Sequence, residues 1–486
     1  MALDDFRNER LKKLARLREA GIDPYPTASA RTHRIGEALE QFDALEASRG
    51  SVTLAGRVMA QRGHGGLTFL DLADGSGTIQ ALVGADRIGQ DAYDFFVSVI
   101  DIGDIVEVSG TLGKTKRGER SIEASGWTML TKSLLPLPEK WHGLTDTDER
   151  YRKRYLDLIA NDSVRDTFVK RSRLTRALRE FLDGEGFTEV TTPTLQPLYG
   201  GASARPFKTH MNALDMDLFL RIAPELYLKR LVVGGMQSVY EFTTNFRNEG
   251  MDRDHNPEFS ALEFYAAYRD LAWAMTLTER MLAHAVAAVT GSQTLTYEGN
   301  EIDFSGPYRR ATFSDLFQEH IGVDFLSATY EDLDAAAQRL GVRVEKVVSR
   351  EGLADELFKK VIRKTLIAPT FVTDWPAQLL PLAKRTSQQD FVWAFQFFAA
   401  GFELIKAFGE LNDPIDQRER FAAQEANRAK GDEEAQRMDE DFVEALEYGM
   451  PPTAGWGLGL DRFTMLLTGN HSIRDVILFP TMKPRE

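Results

Sequence analysis

The spacing of apolar and polar positions changes along the chain, and the changes divide it. Residues 1–50 carry apolar positions at helical spacing, with a break at IDPYPTAS. The first helix, within FRNERLKKLARLREAG, ends at Gly21. From Ser51 the period shortens to two. VTLAGRVMAQRGHGGLTFLDLADGSGTIQALVG, DIVEVSGTL and SIEASGWTML alternate apolar and polar residues between glycine-bearing turns. That texture predicts several short strands closing into a small β-barrel over residues 51–135.

A Pro-punctuated stretch, LLPLPEKWHGL, marks a linker at 136–150, and a larger unit follows over 151–486. It opens with a helix whose apolar stripe is Leu174, Leu178, Phe181 and Leu182, ending at Gly184 or Gly186. FTEVTTPTLQP reads as a short strand broken at Pro193, which places it at an edge or an end. SVYEFTTNF and SALEFYAAY predict two strands joined by a long charged loop, with Arg247 and Glu249 in the first strand. Residues 310–365 read as a helical insertion. VEALEYGMPPTAGWGLGLDRFTMLLTG gives a Gly-rich strand running into a helix. The expected class is α+β: an OB-fold barrel, then a larger domain of sheet and helices.

Composition narrows the chemistry. With 486 residues the chain is too long for one ordinary core. It has no cysteine, which excludes disulfides, thiolate metal sites and a cysteine nucleophile. The charged N-terminus is not a secretory signal, and no apolar run is long enough to span a bilayer. A cytoplasmic location is the expectation. The net charge of −14 argues against a chain that coats nucleic acid non-specifically. It leaves room for a local basic face, as on the first helix with Arg7, Arg10, Lys12, Lys13, Arg16 and Arg18. The sequence leaves open whether that face is merely solvated or contacts RNA.

No G-x-x-x-x-G-K-[ST] loop is present, and no G-x-G-x-x-G joins a strand to a helix. Nucleotide binding must therefore come from another arrangement. Three segments supply one: residues 170–193, the hairpin FRNEGMDRDHNPEF, and GLGLDRF at 457–463. Arg247 and Arg462, each in a rigid setting, are candidates to clamp a triphosphate, since Arg is always charged and forks to phosphate oxygens. The ordered combination resembles the three signature motifs of class II aminoacyl-tRNA synthetases. With the barrel in front, it looks like the subclass of aspartyl, asparaginyl and lysyl enzymes. GGASARPFKTHMNALDMDLFLRIAPELYLKRLVVGG, FELIKAFGELNDP and EYGMPPTAGWGLGLDR narrow the resemblance to the lysyl enzymes.

That resemblance implies an antiparallel-sheet catalytic domain, a homodimer across the first motif, and ATP, L-lysine and tRNA(Lys) as substrates. It implies that Arg247 and Arg462 serve catalysis. Glu249, His255, Asn256, Phe259 and Glu403 would join them around ATP. Gly201, Glu225, Glu263, Tyr265, Lys406, Phe408 and Glu410 would line the lysine site. Glu403 and Gln396 would hold Mg²⁺. Phe69, Gln80 and Glu119 would read the central anticodon uridine, with Lys114, Lys116 and Arg117 near phosphates. Three positions depart from the family's pattern. Asp254 stands where Arg precedes the motif His, with Arg253 one place earlier. Gln396 replaces one of two metal-binding glutamates. Lys406 replaces a small or amide residue. The implied reaction is formation of lysyl-adenylate and pyrophosphate, then transfer to the terminal ribose of tRNA. A paralogue activating another amino acid or lysylating a non-tRNA acceptor, and a non-enzymatic RNA-binding relative, are the competing readings.

Overall fold

The computed structural model describes residues 3–138, 144–344, 349–380, 382–387, 390–429 and 436–485. Residues 139–143 of the expected linker and 345–348 of the expected insertion lie outside the described residues. The chain forms two compact units, Met1–Thr145 and Asp146–Glu486.

In the first unit five strands close a barrel in the order β1-β2-β3-β5-β4. They are β1 (Ser51–His64), β2 (Leu67–Ala73), β3 (Thr78–Gly84), β4 (Ile105–Lys114) and β5 (Arg120–Thr131). The alternation read from the sequence fills the barrel: Leu70 and Leu72 of β2 and Val106 and Val108 of β4 are fully buried. The helix Leu3–Glu19 is attached by its own cations. Arg10 donates to the carbonyls of Ile102 (2.8 Å) and Leu135 (2.8 Å), and Lys13 meets Asp101 at 2.7 Å. Part of the basic face is thus an anchor. A buried Lys132, paired with Asp101 and Asp104 at 2.6 and 2.8 Å, closes the same corner.

The second unit is built on an eight-stranded sheet. Its strands are β6 (Thr188–Glu189), then, after a three-stranded side sheet of β7 (Leu195–Gln196), β8 (Lys208–Met211) and β9 (Met216–Leu220), β10 (Ser238–Phe246) and β11 (Glu258–Ala267). A small hairpin, β12 (Thr294–Tyr297) and β13 (Asn300–Asp303), precedes β14 (Arg309–Thr312), β15 (Thr370–Pro376), β16 (Phe391–Ala399), β17 (Phe402–Gly409) and β18 (Thr453–Gly459). The order is β14-β15-β16-β17-β18-β11-β10-β6. The helices Asp162–Gly184 and Leu271–Thr290 pack on one face of it, over Phe264, Phe395 and Trp456. Leu174, Leu178 and Leu182, the predicted stripe, are fully buried there.

Three local expectations change. Pro193 lies between two short strands instead of breaking one, while the expected edge position holds: β6 lies at the sheet edge, parallel to β10. Arg247 and Glu249 fall beyond the end of β10, although the Arg247 N–H still donates to the Pro257 carbonyl at 2.8 Å. The stretch 310–365 is not wholly helical. Its first residues form β14, parallel to β15 in the main sheet, before helices that make a separate core with Phe313, Phe317 and Phe358.

Candidate active site

The strand register builds a floor. Directly opposed residues in a sheet point to the same face. One row runs Glu241, Glu263, Gly457, Lys406, Gln396 across β10, β11, β18, β17 and β16. The next row runs Tyr265, Gly455, Phe408, Ala394. Glycines at the centre of both rows keep the floor low. A Cβ at Gly455 would overlap the Glu410 carboxylate and stand 2.6 Å from Tyr265 Cε1. Over this floor lies a cavity of about 640 Å³.

One end of the cavity is anionic. Glu225, Glu263 and Glu410 line it with Tyr265 and Phe408. The helix Glu225–Val233 places Lys229 one turn from Glu225, to which its Nζ donates at 2.6 Å, and the same ammonium ion-pairs with Glu410. Glu410 Oε2 takes the Lys229 ion pair, and its Oε1 is buried without a hydrogen-bond partner. Burial, reinforced by Glu225, pushes the Glu410 carboxyl up, while Glu225 and Glu410 keep Lys229 charged despite its burial. Glu263 is pushed up to about 8, first by burial and then by Glu225. Tyr265 is held protonated by burial and the same three carboxylates. Gly201 (φ +86°) reaches this end because a Cβ there would meet the Glu225 Cβ at 2.8 Å, and its N–H donates to Gln436 at 3.2 Å.

The other end is cationic. Arg247 is half-buried over the Phe259 ring, 5.0 Å from its centroid, and its buried Nε has no hydrogen-bond partner. Arg462 donates to the Glu403 carbonyl (3.3 Å), the Asp254 carbonyl (3.4 Å) and His255 Nε2 (2.9 Å). A guanidinium only donates, so Nε2 accepts. The His255 proton then sits on Nδ1 and goes to Asp252, at 2.8 Å. Asn256 holds the turn by donating to the Glu258 carbonyl at 2.6 Å. Glu249 also lines the cavity. Asp461, beside Arg462, is taken up by Arg171 and the Ser260 N–H.

The sequence departures fall on this cationic wall. Asp254, not Arg253, lines the cavity. Arg253 is engaged elsewhere, with the Tyr297 hydroxyl and Glu298, both at 3.3 Å. The shift that would return Arg253 to the wall is therefore absent. Lys406 Nζ lies 3.4 Å from Glu403. Burial would raise the Glu403 carboxyl, but Lys406, Arg462 and Arg363 hold it below its ordinary range. Gln396 points to the same side of the sheet but is buried outside the cavity lining. The expected Gln396–Glu403 pair is not assembled at the cavity.

Mg²⁺ demands several hard oxygen ligands in near-octahedral geometry. Here Glu403 is neutralised by Lys406. Among the described residues there is no group of three or more His, Cys, Asp or Glu placed to hold a metal ion. These residues do not fit a metal site built into the protein.

Two wall residues were missed by sequence reading. Lys359 and Arg363 line the cavity from the Phe358–Ile362 π-helical turn and the 3₁₀ turn after it. The signal was present in LFKKVIRK, where Lys359 and Arg363 stand four apart among four closely spaced cations. Lys229, which sets the charge of the anionic end, was also missed.

On the barrel, Gln80 Nε2 donates to Glu119 at 3.3 Å, and Ser121 Oγ lies 3.4 Å from Gln80 Oε1. Phe69 is half-buried on β2 and shares its face with Asp71, which lies opposite Gln80. The three predicted residues thus share one region of the barrel. Lys114 is occupied by Asp43 (3.0 Å) and Glu46 (3.4 Å), while Lys116 and Arg117 are exposed.

The comparison with known families agrees with this geometry. The family profile described as tRNA synthetases class II (D, K and N) matches residues 146–483, and that of the OB-fold nucleic acid binding domain matches residues 52–130. A lysine–tRNA ligase of Moorella thermoacetica is 51% identical over 487 residues, spanning 100% of this chain and 99% of its own. Lysine–tRNA ligases of Carboxydothermus hydrogenoformans (50%, spanning 100% and 99%) and Syntrophomonas wolfei (49%, spanning 99% and 98%) are similar over the same extent. The chain belongs to the class II (D, K and N) tRNA synthetases, with an OB-fold nucleic-acid-binding domain ahead of the catalytic sheet.

Proposed function

We propose that the chain is a lysine–tRNA ligase: it activates L-lysine with ATP and transfers it to the 3′-terminal ribose of tRNA(Lys). The observation that carries the amino-acid choice is Glu410, a buried carboxylate that shares Lys229 with Glu225 and keeps its Oε1 without a partner at the anionic end of the cavity. Glu225 and Glu410 share one Lys229 there, and Glu263 adds a third carboxyl beside Glu225. A buried excess of negative charge is costly unless a cation arrives. Lysine brings two ammonium groups. Its ε-ammonium meets Glu410 and Tyr265, its α-ammonium meets Glu225 and Glu263, and Phe408 packs on the stem.

ATP lies toward the cationic end, its base against Phe259 after Arg247 moves to the phosphates, with Glu249, His255 and Asn256 framing it. The lysine carboxylate is already ionised, so no general base is required. One of its oxygens attacks the α-phosphorus, and the α–β anhydride bond breaks. Pyrophosphate leaves, and lysyl-adenylate remains. Arg247 bridges the carboxylate and the α-phosphate, and Arg462 holds the γ-phosphate, so the protein supplies in-line positioning and charge stabilisation. The ribose hydroxyl of tRNA then attacks the lysyl carbonyl, and AMP leaves. The family generally uses ATP with Mg²⁺. Phe69, Gln80 and Glu119 contact the anticodon, and two chains pair through residues 168–193.

Calorimetric titration with lysine, norleucine and ornithine tests the reading. Lysine binds, norleucine binds at least about a hundredfold more weakly, and Glu410→Gln removes most of the difference. Equal affinity for norleucine would contradict the assignment of Glu410.

A further inference from the structure

The cationic wall holds more positive charge than the Arg247–Arg462 clamp accounts for. Lys406 stands over the floor with its ammonium half-exposed, 3.4 Å from Glu403. Arg363 lines the same wall, its Nε buried without a hydrogen-bond partner. Lys359 lies beside them and shares its charge with Asp355 at 2.5 Å. Glu403 is thus faced by cations, and the neighbour of Lys406 in the sheet row is the neutral Gln396. A divalent cation on this wall would meet repulsion from Lys406 and Arg363. A polyphosphate would meet attraction.

We propose that this chain neutralises the ATP phosphates with Lys406 and Arg363, in place of a divalent ion held by acidic side chains, so that it binds metal-free ATP. The inference rests on the ATP-site reading above. Both cations suit the role. Arg363 presents a planar fork to phosphate oxygens, and Lys406 a compact point charge. As the α–β bond breaks, negative charge moves onto pyrophosphate, and cations fixed beforehand lower the barrier without reorganising. On this account Glu403 holds Lys406 in place when ATP is absent and releases it to the phosphates when ATP enters.

The test is calorimetric ATP binding to the full chain in EDTA and in Mg²⁺, with Mn²⁺ spin-resonance titration of the ATP-free protein beside it. For the wild type, the two ATP affinities agree within about threefold and no tight Mn²⁺ site appears. Lys406→Asn weakens ATP binding in EDTA by about tenfold or more, and less in Mg²⁺. Lys406→Asn combined with Gln396→Glu makes ATP binding depend on Mg²⁺ and creates a Mn²⁺ signal. Thermal melting checks that each variant folds; if the double variant does not, the wild-type arms decide alone. Loss of wild-type ATP binding in EDTA by more than about tenfold, or a tight Mn²⁺ site without ATP, overturns the inference and leaves the ATP site standing. No ATP binding in either buffer, from folded protein, overturns the ATP-site reading and the inference with it.

Discussion

At the scale of residues, the account turns on charges held out of water. Glu263 and Glu410 are neutral more of the time than ordinary carboxylates, because burial and neighbouring acids raise them. Lysine binds best to their ionised forms. Its affinity is therefore expected to rise with pH up through about 8, the value for Glu263, with protons released on binding. Calorimetry in buffers of different ionisation enthalpy measures that release; uptake of protons would contradict it. The same raised values act oppositely on the empty protein. Their unfolded counterparts ionise near pH 4.3, so stability falls from about that pH to about 8 and not beyond. Gly455→Ala places a methyl group on Glu410 and Tyr265. It is expected to raise the KM for lysine by at least about tenfold while leaving ATP affinity unchanged, as steady-state kinetics and ATP titration can show. That Arg247, Glu410 and Arg462 line one cavity is what the family resemblance led one to expect. Lys359 and Arg363 were not expected there, because their motif has no fixed offset from the others and only folding brings it over the floor.

At the scale of elements, periodicity carried most of the fold. The two-residue alternation of β1 to β5 and the stripe Leu174–Leu178–Leu182 were readable because burial imposes those periods directly. β14 was not. Four residues, two of them exposed arginines, carry no alternation that separates a strand from the helix that follows. The end of β10 was misread because the ladder stops short of the charged residues: Arg247 still bonds across to Pro257, but the Glu249 N–H turns back to the Arg247 carbonyl. The N-terminal helix was readable as a helix but not as a clamp, since which cations meet barrel carbonyls depends on the tertiary fold. The barrel corner gives an element-scale prediction. Asp104→Ala removes one partner of the buried Lys132 and is expected to cost about 3 kcal/mol by denaturant unfolding of that unit. A cost under about 1 kcal/mol would show that Asp101 suffices. On the barrel face, Phe69→Ala is expected to weaken tRNA binding by about 1–3 kcal/mol through lost base stacking. An equal loss in lysine-dependent adenylation would point to folding damage instead.

At the scale of the whole molecule, two units carry two recognitions. The barrel unit is an OB-fold nucleic-acid-binding domain, and the sheet unit encloses a cavity whose charge changes sign from one end to the other. That polarity is the molecular expression of the proposed reaction: a diammonium substrate at one end, a polyphosphate at the other, and their reacting atoms between. No helix among the described residues is long and apolar enough to cross a membrane. Sedimentation of the full chain is expected to give the mass of two copies; a single copy retaining full activity would contradict pairing through residues 168–193. The most direct test of the central claim is amino-acid-dependent ATP–pyrophosphate exchange, run over all twenty amino acids and ornithine. The account predicts exchange with lysine alone, lost in Arg247→Ala. Exchange with a different amino acid, or none from a folded sample, would contradict it.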